Sequence, residues 1–215
     1  PSVAQGKHNI DYELFRVLPK VLKTKTNAER DAVLVKWIKA LGDVVPSPSK
    51  IQFDSSGTKI IPDLKWIESS NFSEELSSLL LNLKQAKRSS THHYIGFAVG
   101  VNNPKFKHEK AYQEMTYPDA GFRLLALFRY WNIIQYYFPY KNLIQEDWKG
   151  VLEEFIPKFI VAENETKYHL RVLELIGRVH DSHAGLRTWS LFKYFGQKFA
   201  APELYFVENK AVVTG

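Results

Sequence analysis

Apolar residues recur every three or four positions in six stretches of the chain, which is the pattern of helices that bury one face. The predicted helices run over 10–22, 28–41, 73–88, 119–138, 148–160 and 167–179. We interpret the aromatic and aliphatic band of 119–138 as core, because large apolar residues at helical spacing favour packing over a ligand groove. Residues 94–101 are apolar and 184–188 alternate small or apolar with polar residues, so both predict strands.

These elements predict an α+β fold that is mainly α, with two related helical hairpins, one long aromatic helix and a few short strands. We expect the first hairpin in residues 1–43, a connector with one helix and one strand in 44–118, a second helical region in 119–200 and the beginning of a further domain in 201–215. Prolines, serines and a glycine within 43–63 favour loop there.

The two predicted hairpins resemble each other at an offset of 138 positions, which indicates an internal repeat. Identical residues at this offset are Pro1 and Pro139, Leu14 and Leu152, Pro19 and Pro157, Lys20 and Lys158, Ile38 and Ile176, and Asp43 and Asp181. Because Asp181 falls on Asp43, we interpret it as a structural residue of a helix end. Ser182 and His183 fall on two valines, and they therefore distinguish the second corner from the first.

The composition and charge of the chain limit which kinds of partner and site it can have. A content of 45% hydrophobic and 14% aromatic residues supports a packed core. The net charge of +6 is spread along the chain and forms no basic arm, so we expect no nucleic-acid partner. Since cysteine is absent, the chain has no disulfide, zinc–thiolate site or cysteine nucleophile. No apolar run approaches the roughly 18 residues of a membrane span, and we expect none.

Reactive side chains cluster where the last predicted helix ends, at His180, Asp181, Ser182 and His183. A histidine can act as general base for a serine nucleophile when a third group fixes its ring. Neighbouring residues on a strand point to opposite faces, so His183 would serve a serine from elsewhere. The chain has no Gly-x-Ser-x-Gly elbow, and a complete catalytic triad cannot be assembled from it.

A metal site is an alternative for the same corner. The doublet of His180 and Asp181 is the pair that binds divalent metal in helical phosphohydrolases, and His183, His169 or the tandem His92 and His93 could add ligands. Such a doublet lies inside a helix, whereas the predicted helix ends here. We therefore expect neither a metal nor another cofactor.

The residues 122–140, together with 179–185 after the second hairpin, resemble the N-terminal region of tricorn-type and C-terminal-processing serine peptidases, especially the secreted or periplasmic forms of Bacteroidetes. Residues 1–43 are similar to the first helical hairpin of that family. The resemblance covers most of the chain and is most specific at Asp181-Ser-His-Ala184.

The resemblance implies that this helical region precedes a PDZ-like domain, begun by 201–215, and a catalytic domain that carries the nucleophilic serine. In tricorn-type members a Ser-His pair comes from this corner, so Ser182 would orient the imidazole and His183 would be the general base. Members that use a Ser-Lys dyad would not need His183 as base. The implied partners are those downstream domains and a peptide or protein substrate, and the implied location is periplasmic or extracellular in a bacterium.

The ends of the chain suggest a fragment of a longer protein, because it starts without Met and residues 209–215 have the pattern of an interrupted strand. Tricorn-type members also use a nucleophilic serine and a glutamate in their active site, and neither has a counterpart in this sequence. We therefore expect the chain alone to be inactive as a peptidase. A non-catalytic helical module that binds a protein or peptide remains an alternative.

Overall fold

The computed structural model describes residues 2–45, 47, 62–87, 92–101, 103–196 and 203–214. Within these residues the chain forms eight α-helices and two small antiparallel sheets, which confirms a mainly α, α+β fold. The helices are α1 (Ile10–Val21), α2 (Asn27–Ala40), α3 (Trp66–Ser69), α4 (Glu74–Lys84), α5 (Ala120–Tyr137), α6 (Trp148–Ile160), α7 (Glu165–Gly177) and α8 (Trp189–Phe195). The strands are β1 (Ile95–Phe97), β2 (Pro104–Phe106), β3 (Glu203–Val207) and β4 (Lys210–Thr214).

All six predicted helices are present as α1, α2, α4, α5, α6 and α7. The helix predicted over 73–88 ends at Lys84, because the residues that follow pair with another segment: the Lys87 N–H donates to the Val45 carbonyl and the Ser47 N–H donates to the Gln85 carbonyl. Most of the predicted loop 43–63 lies outside the described residues.

The strand predicted over 184–188 is wrong, because these residues are an irregular segment that leads into α8. The Thr188 hydroxyl accepts a hydrogen bond from the Leu191 N–H, so Thr188 is the N-cap of that helix. Trp189, which we expected to follow a strand, is the first residue of α8. The corner predicted as helix-to-strand therefore joins two helices.

The helix boundaries repeat at the same offset as the sequence. Asn9 and Asp147 cap α1 and α6, and Thr26 and Asn164 cap α2 and α7, so each pair of caps is separated by 138 positions. In all four cases the side chain accepts hydrogen bonds from N–H groups of the first turn. The hairpin repeat that the sequence predicts thus extends to the ends of its helices.

A third helix packs on the second helix of each hairpin, α4 on α2 and α8 on α7. A buried polar residue at the equivalent position holds it. The Asp31 carboxylate accepts from the N–H of Ser73, the N-cap of α4. Nδ1 of His169 lies 2.6 Å from Oγ of Ser190 in the first turn of α8. The repeating unit therefore contains three helices, whereas the sequence predicted two.

The main core lies where α5 and α6 meet α7. Its buried members are Leu124, Leu127, Ile134, Ile144, Trp148, Val151, Phe155, Phe159, Ala162, Tyr168, Leu175 and Val179. The guanidinium of Arg123, itself buried, donates to the carbonyls of Pro118, Phe159 and Ile160. Since the last carbonyls of a helix have no intrahelical partner, Arg123 both caps α6 and joins it to α5.

The strand predicted over 94–101 is shorter than expected, and β1 forms a hairpin with β2. The strand β4 falls within the strand pattern of 209–215, and it pairs with β3 as a second hairpin. Leu204, Phe206 and Val213 of this hairpin are exposed. No helix in the described part of the chain is long and apolar enough to cross a bilayer.

Candidate functional site

The corner that carries Ser182 and His183 is the turn between α7 and α8. Val179 at its start and Leu191 after its end are buried, so both sides of the turn are anchored. His180 has a φ of 56°, in the left-handed region, and this conformation ends the helix. The N–H of Ala184 donates to the carbonyl of Asp181, which closes a four-residue turn with Ser182 and His183 at its centre.

One carboxylate oxygen fixes His183 within this turn. Oδ1 of Asp181 accepts from the backbone N–H of His183 at 2.9 Å and lies 3.0 Å from Nδ1 of its ring. These contacts, first with the N–H and then with the ring, hold the pKa of Asp181 below its usual value. The His183 side chain is 93% exposed, so its Nε2 edge is open to an incoming group. A carboxylate on Nδ1 and an open Nε2 are the arrangement that a general-base histidine needs.

Ser182 is exposed at the same turn, but within the part of the chain that the structure describes its hydroxyl makes no hydrogen bond. The predicted role of Ser182 in orienting the imidazole stays a prediction, since here Asp181 contacts the ring. The interpretation of Asp181 as only a structural residue of the helix end stays a prediction, since its carboxylate also contacts the ring of His183. The spacing of an aspartate two residues before a histidine could have indicated the added contact with the ring.

Tyr130 of α5 lies near this corner, and the sequence gave no reason to single it out. Burial, with a smaller contribution from the negative charge of Asp181, raises the pKa of Tyr130 to about 12. The phenol therefore stays protonated at neutral pH. It is half-buried and packs against the core.

The two members of the His-Asp doublet point to different partners. Nε2 of His180 lies 3.3 Å from Oε1 of Glu146, and Oε2 of the same carboxylate accepts a 2.6 Å hydrogen bond from Nε of Arg178. Asp181 contacts His183 instead. No group of three histidine, cysteine or acidic side chains converges among the described residues, so the metal alternative has no support there.

The other histidines considered as metal ligands have different surroundings. His169 is buried against Ser190, and burial lowers the pKa of its imidazole. The ring of His93 stacks on that of His108 with 4.0 Å between centroids. Neither arrangement brings an imidazole to the corner.

A cavity of about 530 Å³ lies between α1, α5 and the β1–β2 hairpin. Its aromatic lining includes Phe128, Tyr136 and Tyr137 of α5, and no residue of the corner lines it. At its edge Arg129 donates to both oxygens of Asp11 at 2.8 Å. The aromatic band of α5, interpreted from the sequence as core, thus packs in the core on one side and lines this cavity on the other.

Comparison of the chain with models of known protein families, with curated proteins and with solved structures finds no match. A functional assignment depends on the geometry of the chain itself and on the sequence resemblance given above.

Proposed function

We propose that this chain is the N-terminal helical region of a tricorn-like serine endopeptidase and that its corner supplies His183 to the active site. The observation that supports the proposal best is the contact of Asp181 with Nδ1 of His183 on a turn anchored by two packed helices. A ring held in this way presents Nε2 in a fixed direction, which general-base catalysis requires.

The chemistry follows from that geometry. A serine hydroxyl from outside this chain attacks the scissile carbonyl while Nε2 of His183 takes its proton. The negative charge of Asp181 stabilises the imidazolium that forms, and the same proton then passes to the leaving amine. For Ser182, the residue before His183 in the sequence, the proposed role is to help orient the imidazole.

The corner is an incomplete active site by itself. Ser182, His183 and the residues just after them are exposed, and the cavity beside α5 does not include them. We propose that a PDZ-like domain and a catalytic domain cover this face and add the nucleophile. The substrate would be a peptide or protein, and the enzyme would act in the bacterial envelope or outside it.

Labelling with a fluorophosphonate, which reacts with activated serines, tests the proposal. The longer protein should be labelled, whereas residues 1–215 alone should not. The variant His183→Ala should be labelled about a hundredfold more slowly, because the serine loses its base. The matched variant His180→Ala, which changes a neighbouring exposed histidine, should be labelled normally. Labelling of the isolated chain, or equal rates in both variants, would contradict the proposal.

The aromatic cavity beside α5 favours a second candidate, a non-catalytic module that binds an apolar peptide segment. Concave sites lined by aromatic side chains with a few polar groups are the usual form of a binding pocket. Under this alternative, Phe128→Ala would weaken peptide binding and His183→Ala would change nothing. Under the peptidase proposal, His183→Ala abolishes turnover.

A further inference from the structure

A second groove lies between α1 and α2, away from the corner. It has a volume of about 480 Å³, and Val17, Val33 and Trp37 are among its walls. Three cations, Arg16, Lys20 and Lys36, also line it.

The second hairpin shows how the same positions are neutralised. Lys158, the equivalent of Lys20, donates to Glu154 on its own helix at 2.6 Å and to Glu174 on the facing helix at 2.5 Å. This bridge joins α6 to α7. The two glutamates and the lysine together leave only one excess negative charge at that place, and Arg171 contacts Glu174 as well.

The first hairpin carries cations where the second carries these glutamates. At the offset of 138 positions, Arg16 stands in place of Glu154 and Lys36 in place of Glu174. Arg16 pairs with the buried Glu13, but Lys20 and Lys36 form no ion pair with any residue that the structure describes. Glu13 also lines the groove and offsets the charge of Arg16, so the charges of Lys20 and Lys36 are the unmatched ones there.

We propose that the groove between α1 and α2 binds an acidic segment of a partner polypeptide. Two carboxylates of that segment take the places that Glu154 and Glu174 occupy in the second hairpin, where this geometry satisfies a lysine. An adjacent apolar side chain of the segment packs on Trp37, which fills the part of the groove that a single small anion would leave empty. The proposal does not depend on the catalytic role of the corner.

Fluorescence anisotropy tests this with a fluorescein-labelled peptide that repeats Glu-Glu-Leu-Ala and a matched peptide that repeats Gln-Gln-Leu-Ala. The glutamate peptide should bind, its affinity should fall as NaCl is raised, and the glutamine peptide should bind at least tenfold more weakly. Absence of binding by the glutamate peptide, or equal binding of both, would overturn the proposal.

Two variants with the same change of charge locate the site. Lys36→Glu places a carboxylate opposite Lys20, as Glu174 stands opposite Lys158, and should weaken binding about tenfold without lowering the melting temperature. Lys149→Glu, at an exposed position of α6, should leave binding within about twofold.

Equal losses in both variants would show attraction to net charge alone. Displacement of the peptide by inorganic phosphate well beyond that caused by NaCl of equal ionic strength would assign the groove to a small anion. Either result would overturn the proposal.

Discussion

Asp181 binds the backbone and the ring of His183 with the same carboxylate oxygen, at 2.9 Å from the N–H and 3.0 Å from Nδ1. The first contact adds to the turn that the Asp181 carbonyl closes with the Ala184 N–H, and the second sets the direction of the imidazole. Because one oxygen makes both contacts, the orientation of the ring is coupled to the conformation of the turn.

Loss of the His183 ring should move the pKa of Asp181 back toward its ordinary value, although the backbone N–H will keep part of the depression. Carbon-detected NMR titration of the Asp181 carboxyl in the wild type and in His183→Ala measures this. Because the folded state holds this pKa low, the stabilisation is present at neutral pH and is lost as the pH falls through the folded value. His180→Ala is the control and should leave the titration unchanged; an unchanged titration in His183→Ala would contradict the geometry.

Arg123→Lys should destabilise the fold by about 2 kcal/mol, because a lysine cannot donate at once to the carbonyls of Pro118, Phe159 and Ile160. Chemical denaturation measures the free energy of unfolding. Arg187→Lys, an exposed arginine after the corner, is the matched control and should change it by less than about 0.5 kcal/mol. Equal stability of the two variants would show that Arg123 does not cap α6.

Lys158→Met should lower the free energy of unfolding by about 1 kcal/mol, since it removes a partly exposed bridge between α6 and α7. The hydrogen bond from Lys158 lowers the pKa of Glu154, and it also lowers that of Glu174 against the opposing effect of burial. The difference from wild type should therefore begin to shrink near the ordinary value of about 4.5 and disappear as the pH falls through the lower folded-state pKa values of the two carboxylates. Lys149→Met is the control, and a pH-independent difference would contradict this account.

The melting temperature should fall between pH 7.5 and 5.5 through His169. Burial lowers the pKa of this imidazole in the folded state, so the unfolded chain takes up a proton first. The stabilisation that the neutral His169 side chain provides is fully present above the ordinary imidazole pKa of about 6.5. It declines as the pH falls below that value. His169→Gln should flatten this part of the profile, and His108→Gln, at an exposed position, should not. Parallel profiles for all three proteins would refute the assignment.

Helix positions could be predicted from the sequence because they depend on a local signal, the spacing of apolar residues. The helix α8 was missed since it has only seven residues and follows a segment with strand-like alternation. Its N-cap Thr188 was a signal for it, but one polar residue outside a periodic pattern is weak. Tertiary packing on α7 holds this short helix, and packing is not visible in a local pattern.

The position of the candidate site could be predicted from its residue types, whereas the contacts within it could not. The repeat aligns Asp181 with Asp43, but this alignment carries no information on which atom Asp181 contacts. The reversal of charge between Arg16 and Glu154 and between Lys36 and Glu174 is present in the sequence. Its meaning depends on which residues of the facing helix lie opposite, and only the structure provides that.

The turnover number of the longer protein on a peptide substrate tests the central claim most directly. His183→Ala should lower kcat by a hundredfold or more relative to wild type, while His180→Ala should keep kcat within about threefold. A loss of less than about tenfold in His183→Ala would remove His183 as the general base and with it the proposed function of this corner.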